Sequence, residues 1–89
     1  MQPASLLVIF GATGDLAMRM LLPSLYGLQR DGLLADALKI LCTGRSALSQ
    51  EAFAEQVRAA LAQRVAREEQ DPAQIEALLA RLRYRAAAL

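Results

Sequence analysis

The chain has 89 residues, a formal net charge of +1, and a composition that is 55% hydrophobic but only 4% aromatic. That length allows one small domain or part of a larger one, and the balanced charge gives no electrostatic case for binding nucleic acid or an acidic membrane surface. The absence of histidine excludes a histidine general base within this chain, and a single cysteine, Cys42, excludes an internal disulfide.

The N-terminal Met-Gln-Pro-Ala-Ser has no basic region, and the apolar run after it is too short for a signal peptide or membrane span. A cytoplasmic protein is expected, with no metal centre. The first element is a strand over Ser5–Phe10, a continuous apolar run of the kind buried on both faces of a parallel sheet. It runs into Gly11-Ala12-Thr13-Gly14-Asp15-Leu16-Ala17, a Gly-x-x-Gly-x-x-Ala form of the dinucleotide fingerprint. Gly11 turns the chain, Gly14 lets a pyrophosphate approach the backbone, and Ala17 keeps the following helix close to the sheet. Asp15 is expected as a helix cap or dipole partner that offers its backbone N–H to the phosphate.

From Asp15 to about Gln29, Leu16, Met20, Leu21, Leu25 and Leu28 recur at helical spacing, with Pro23 marking a kink or a break. Asp31-Gly32 is a stop signal, and Leu33-Leu34 are expected to pack the connection against the sheet. A second strand runs from about Leu38 to Thr43 and places Cys42 in the core. Ser49 is an N-cap for a helix over roughly 50–68, whose Phe53, Val57, Leu61 and Val65 form a core stripe. Asp71-Pro72-Ala73-Gln74 starts another helix, Asp71 capping and Gln74 reaching back as its capping-box partner. Ile75, Leu78, Leu79 and Leu82 form its apolar face. Residues 83–89 either begin a third strand or fray.

The order β-α-β-α-α, with a third β as the open alternative, gives an α/β fold: a partial Rossmann-like, doubly wound parallel sheet, the first half of a dinucleotide-binding domain. Two or three parallel strands leave sheet edges and apolar helix faces uncovered. The end of the second strand decides the coenzyme. An acidic residue there accepts from the ribose 2′-hydroxyl of NAD, whereas a 2′-phosphate requires an arginine. The chain offers Gly44-Arg45-Ser46 and no carboxylate, which selects NADP, with Arg45 clamping the phosphate and Ser46 donating from its hydroxyl or amide. The interval from the glycine loop to Arg45 exceeds the usual span of about 20 residues; a long first helix and the 31–37 connection accommodate it.

Phe-Gly-Ala-Thr-Gly-Asp-Leu-Ala, followed by Leu21-Leu22-Pro23-Ser24-Leu25-Tyr26, resembles the N-terminus of NADP-dependent glucose-6-phosphate dehydrogenases. The similarity continues through Arg30-Asp31-Gly32-Leu33-Leu34, Ile40–Ser46 and Leu48–Phe53 to Leu82-Arg83-Tyr84. The resemblance implies that Gly11–Ala17 form the cofactor loop and that Arg45 and Ser46 meet the 2′-phosphate. It also implies that the sugar-phosphate site and the histidine base of the family lie beyond residue 89, so residues 1–89 contain no catalytic residue. Glucose 6-phosphate is then a partner only together with that missing domain, as is the family's mode of oligomerisation. The family's lysine-rich run after Gly-Asp-Leu-Ala is replaced by Met18-Arg19-Met20, and Met20 stands where a lysine faces the substrate. A methionine cannot donate a hydrogen bond, and Arg19 substitutes only if the helix presents it to the same site. Truncation together with this loss implies a fragment or decayed copy, inactive alone. Other readings compete: a short-chain reductase-like fold, which usually has a third glycine where this chain has Ala17; a non-catalytic NADP-binding module; and a helical interaction module formed by residues 50–82.

Overall fold

A computed structural model describes residues 5–86; residues 1–4 and the last three positions of the 83–89 stretch lie outside it. Three parallel strands form one sheet: β1 (Leu6–Ile9), β2 (Lys39–Gly44) and β3 (Leu82–Ala86). β2 is central, pairing Ile9 with Cys42 on one side and Cys42 with Tyr84 on the other. Over its described part, residues 83–86, the open question of the C-terminal stretch resolves as a strand. Its start at Leu82, directly after the helix, leaves no room for a loop.

Between β1 and β2 the chain winds into a helix from Asp15, passes through a π-helical turn (Ala17–Leu21) and continues as α1 (Leu22–Arg30). The π turn explains Pro23. Leu22 N–H reaches back five residues to the Ala17 carbonyl, and the widened turn accommodates a ring that lacks the donor an α-helix requires. The helix ends at Asp31 with Gly32 at φ 71°, where Leu33 N–H bonds the Leu28 carbonyl and Gly32 N–H that of Gln29. That Schellman pattern needs a left-handed residue after the cap, which glycine provides. Leu34 packs against the core, whereas Leu33 is exposed.

Ser49 caps α2 (Gln50–Arg64) by accepting from Ala52 N–H at 3.0 Å. The helix stops at Arg64, four residues earlier than the periodicity suggests, and a 3₁₀ turn (Arg67–Glu69) follows. Asp71 caps α3 (Pro72–Arg81) through Ala73 N–H. The expected capping box does not form. Asp71 N–H bonds Tyr26 Oη at 2.8 Å, so Gln74 instead accepts from Gln29 Nε2 at 3.2 Å. Arg58 grips both carboxylate oxygens of Glu76 at 2.9 and 2.8 Å, tying α2 to α3 and holding the Glu76 carboxyl below the usual carboxylate range.

The helices pack against one another and against one face of the sheet, where Ile9, Ile40, Cys42, Leu82 and Tyr84 meet Phe53, Val57, Leu61, Leu78 and Leu79. Burial along β2 and β3 alternates as a half-covered sheet demands. The α2 and α3 stripes are therefore cover for the sheet. Phe53, Val57 and Leu61 have no exposed surface left for the interaction-module alternative.

Two expectations about burial are corrected. β1 is not closed on both faces: Leu6, Leu7 and Val8 are 64%, 38% and 37% exposed, because only β2 flanks it and its second face has no layer over it. In the first helix, Leu16, Met20, Leu21 and Leu28 are exposed, and the buried face is Ala17, Leu22 and Tyr26. The helix has two apolar faces, and the second borders an open apolar groove of about 480 Å³ lined by Leu7, Phe10, Leu21, Leu25 and Leu28.

Tyr26 links three elements, its hydroxyl donating to the Glu69 carbonyl at 2.6 Å and accepting from Asp71 N–H. Tyr26→Phe leaves both partners unsatisfied, so urea unfolding is expected to show a loss of about 1–3 kcal/mol. Complete burial pushes the Cys42 thiol up to about 11. Its folded-state pKa exceeds the unfolded one, so its contribution is fully present below about pH 9 and is lost as pH rises toward 11. Unfolding midpoints measured from pH 7 to 11 should fall across that window, less steeply in Cys42→Ala.

Candidate functional site

The site is built where β1 ends. Gly11 adopts φ 65°, a conformation open to glycine and strained for other residues, and turns the chain over the end of the sheet. Ala12 then donates its N–H to the Thr43 carbonyl at 2.8 Å, and Gly14 donates to the Gly11 carbonyl at 2.9 Å. A Cβ on Gly14 would stand 3.1 Å from that same carbonyl, tighter than an ordinary contact. Met18 N–H bonds the Gly14 carbonyl at 3.1 Å, so the helix begins at the second glycine. The first turn's N–H groups have no intrahelical acceptors and point outward with the positive end of the helix dipole.

The structure divides the fingerprint residues into two roles. Gly11, Gly14, Asp15 and Leu16 are exposed at the rim, Thr13 is half-buried, and Ala12 and Ala17 are buried beneath it. Ala17 is 2% exposed, on the side of the helix that faces the core. Ala12 cannot offer its N–H to a ligand, because Thr43 already holds it. Asp15 makes no cap: its carboxylate pairs with Arg19 at 3.1 Å, one helical turn on, with both side chains mainly in solvent. That pair turns Arg19 toward the loop, so Arg19 is engaged there rather than free to replace a lysine at position 20. Met18 packs against the core, and Met20 is 56% exposed.

β2 delivers the second half of the site. Its last residue, Gly44, is buried, and the next two, Arg45 and Ser46, are exposed. Among the described residues no carboxylate pairs with Arg45. The two halves meet at Gly44, where a Cβ would lie 2.9 Å from Thr13 Oγ1 and 3.0 Å from Tyr84 Oη. Tyr84 also donates from its hydroxyl to the Ser46 carbonyl at 2.5 Å. Gly44 and Tyr84 carry no functional signal in the sequence. A glycine after a strand reads as a turn, and a tyrosine within a short C-terminal stretch reads as packing.

This geometry suits a dinucleotide phosphate. A left-handed glycine, a backbone with no Cβ at the point of approach, a helix N-terminus and an exposed arginine beyond the neighbouring strand lie at the C-terminal ends of β1 and β2.

Comparison with known proteins agrees with it. The sequence model described as "Glucose-6-phosphate dehydrogenase, NAD binding domain" matches residues 8–89. Glucose-6-phosphate 1-dehydrogenase of Zymomonas mobilis is 61% identical over 49 residues, 55% of this chain and 10% of that protein. The Treponema pallidum enzyme of the same name is 43% identical over 79 residues, 89% of this chain and 15% of that protein. Among solved structures, glucose-6-phosphate 1-dehydrogenase from Mycobacterium avium superposes with a TM-score of 0.86 at 31% identity, covering 98% of this chain and 18% of that one. A glucose-6-phosphate dehydrogenase in complex with its substrate gives 0.83 at 32% identity. The chain therefore spans a small N-terminal-type part of its relatives' length. With the match running unbroken from Val8 to the last residue, it belongs to the glucose-6-phosphate dehydrogenase family, as a segment of that family's NAD-binding domain.

Proposed function

We propose that residues 1–89 are the N-terminal part of an NADP-binding, Rossmann-like domain, supplying coenzyme binding and coenzyme choice to a glucose-6-phosphate dehydrogenase. The observation that supports this best is the exposed Arg45 directly after β2, paired with no carboxylate among the described residues and joined through Gly44 to the glycine loop. The Gly11–Leu16 turn and helix start hold the pyrophosphate. Arg45, with Ser46, holds the 2′-phosphate that distinguishes NADP from NAD. When bound, NADP accepts the hydride that oxidises a sugar phosphate to its lactone.

This segment orients the coenzyme and, having no histidine, leaves a histidine general base to other parts of the enzyme. Glucose 6-phosphate is the proposed substrate of the whole enzyme, and the sugar-phosphate site of the family lies outside this segment, which reaches the substrate only around position 20. Met20, exposed and without a donor at the position where the family has lysine, predicts weakened handling of that substrate in any polypeptide carrying this segment.

Calorimetric titration with NADP, and with NAD as the matched control, tests the reading. Tighter binding of NADP is expected, and Arg45→Asp should collapse the NADP-to-NAD affinity ratio by about 10- to 100-fold by removing a charge-assisted contact and adding repulsion. Unchanged affinities would remove Arg45 from the site. Gly14→Ala, which crowds the Gly11 carbonyl, should instead weaken both coenzymes together by about tenfold.

A further inference from the structure

We propose that Tyr84 is a positioning residue for coenzyme choice: its hydroxyl fixes the loop that carries Arg45 and Ser46. The proposal rests on the reading of that loop as the 2′-phosphate site and extends it to a third strand. Tyr84 lies on β3, across the sheet from the glycine loop, and is 8% exposed. Its ring stacks on Phe53 with centroids 4.7 Å apart and planes 20° apart. Its backbone N–H is held by Gln50 Oε1 at 2.9 Å, and Gln50 Nε2 in turn bonds the Leu82 carbonyl at 3.0 Å. Ring and backbone are thus fixed by α2 and β3.

The hydroxyl points away from this frame to the end of β2, where it donates to the Ser46 carbonyl at 2.5 Å. That bond spans 38 residues of sequence and reaches the residue after Arg45. The approach passes Gly44, whose missing Cβ leaves the space that Tyr84 Oη and Thr13 Oγ1 both crowd, 3.0 and 2.9 Å from where it would stand. Thr13 belongs to the phosphate loop. One junction therefore sets where the 2′-phosphate loop stands relative to the pyrophosphate loop. Without the tyrosine hydroxyl, the 45–47 segment, which is exposed throughout, loses its side-chain anchor to the sheet.

A tyrosine that served only as core would act through its ring. Tyr84→Phe keeps the ring, its stacking on Phe53 and the packing volume, and removes only the hydroxyl. In the titration above, Tyr84→Phe is expected to weaken NADP about fivefold and leave NAD within about twofold, the loss of one ordering hydrogen bond. A parallel fall for both coenzymes, or no change for either, would overturn the proposal. Arg45→Asp separates the two levels. If it abolishes the preference while Tyr84→Phe keeps it, Tyr84 alone is eliminated; if the unaltered chain shows no preference, the 2′-phosphate reading fails and takes the proposal with it. A coenzyme-free measurement gives a second readout. Trypsin should cleave after Arg45 about fivefold faster in Tyr84→Phe than in the unaltered chain, relative to cleavage after Arg64. Equal relative rates would count against an anchored loop.

Discussion

One backbone hydrogen bond, Ala12 N–H to the Thr43 carbonyl, holds the site together. It extends the parallel pairing of β1 and β2 beyond Ile9–Cys42, after β1 has ended as a strand. The chain must reverse direction sharply to start a helix and yet stay pinned to its neighbour. Only a left-handed residue at Gly11 allows both, which is why the turn begins with glycine. Once Ala12 is pinned, Thr13 lies against Gly44 and the helix that follows is buried at Ala17, so the loop's backbone has little freedom before any ligand arrives. Preorganisation of this kind lowers the ordering cost of binding.

The same bond brings together the two halves of the proposed coenzyme site, the glycine loop and the end of β2, which are separated by some thirty residues of chain. The first helix and its connection carry the chain away from the sheet and return it as β2, and Arg81 fixes that return. Its guanidinium donates to the Ala35 and Leu38 carbonyls at 2.6 and 3.0 Å, and to Gln29 Oε1 at 2.6 Å. α3 thereby holds the beginning of β2 while Tyr84 of β3 holds its end. The extra length between glycine loop and Arg45 does no harm, because both ends of β2 are secured by elements that follow it.

Much of this was legible in the sequence. Glycine spacing, an apolar strand run and capping residues are local signals, and they located the loop, both caps and the strand end bearing Arg45. What escaped was set by tertiary competition. Gln74 has the spacing of a capping-box partner, but Asp71 N–H is claimed by Tyr26, forty-five residues away. Asp15 has the composition of a cap, but Arg19 one turn later draws its carboxylate outward. Pro23 announced a disturbance without its form, since a kink, a break and a π turn all relieve the same clash. Tyr84 did not stand out in the sequence because its contact with the Ser46 carbonyl passes a Gly44 that has no side chain.

The unbroken run Leu6-Leu7-Val8-Ile9-Phe10 is the last discrepancy, and it has a physical meaning. A strand coded for two covered faces has a free edge opposite β2 and one uncovered face, and Leu6 and Phe10 are 64% and 74% exposed. α2 and α3 cannot supply the missing cover, since their apolar residues already close the opposite face over Cys42 and Tyr84. α1 turns Leu21, Leu25 and Leu28 toward the same open side, so strand and helix present one continuous apolar surface. Surfaces of this kind are rarely left in water. The sequence of β1 is therefore adapted to a central strand, and covering it takes more polypeptide than these elements provide. Relatives of which this chain spans 10% and 15% have that length. The glycine loop stands at the top of this strand. Its rigidity accordingly depends on two sources: the pairing with β2, complete here, and the packing of β1's other side, which these residues leave open.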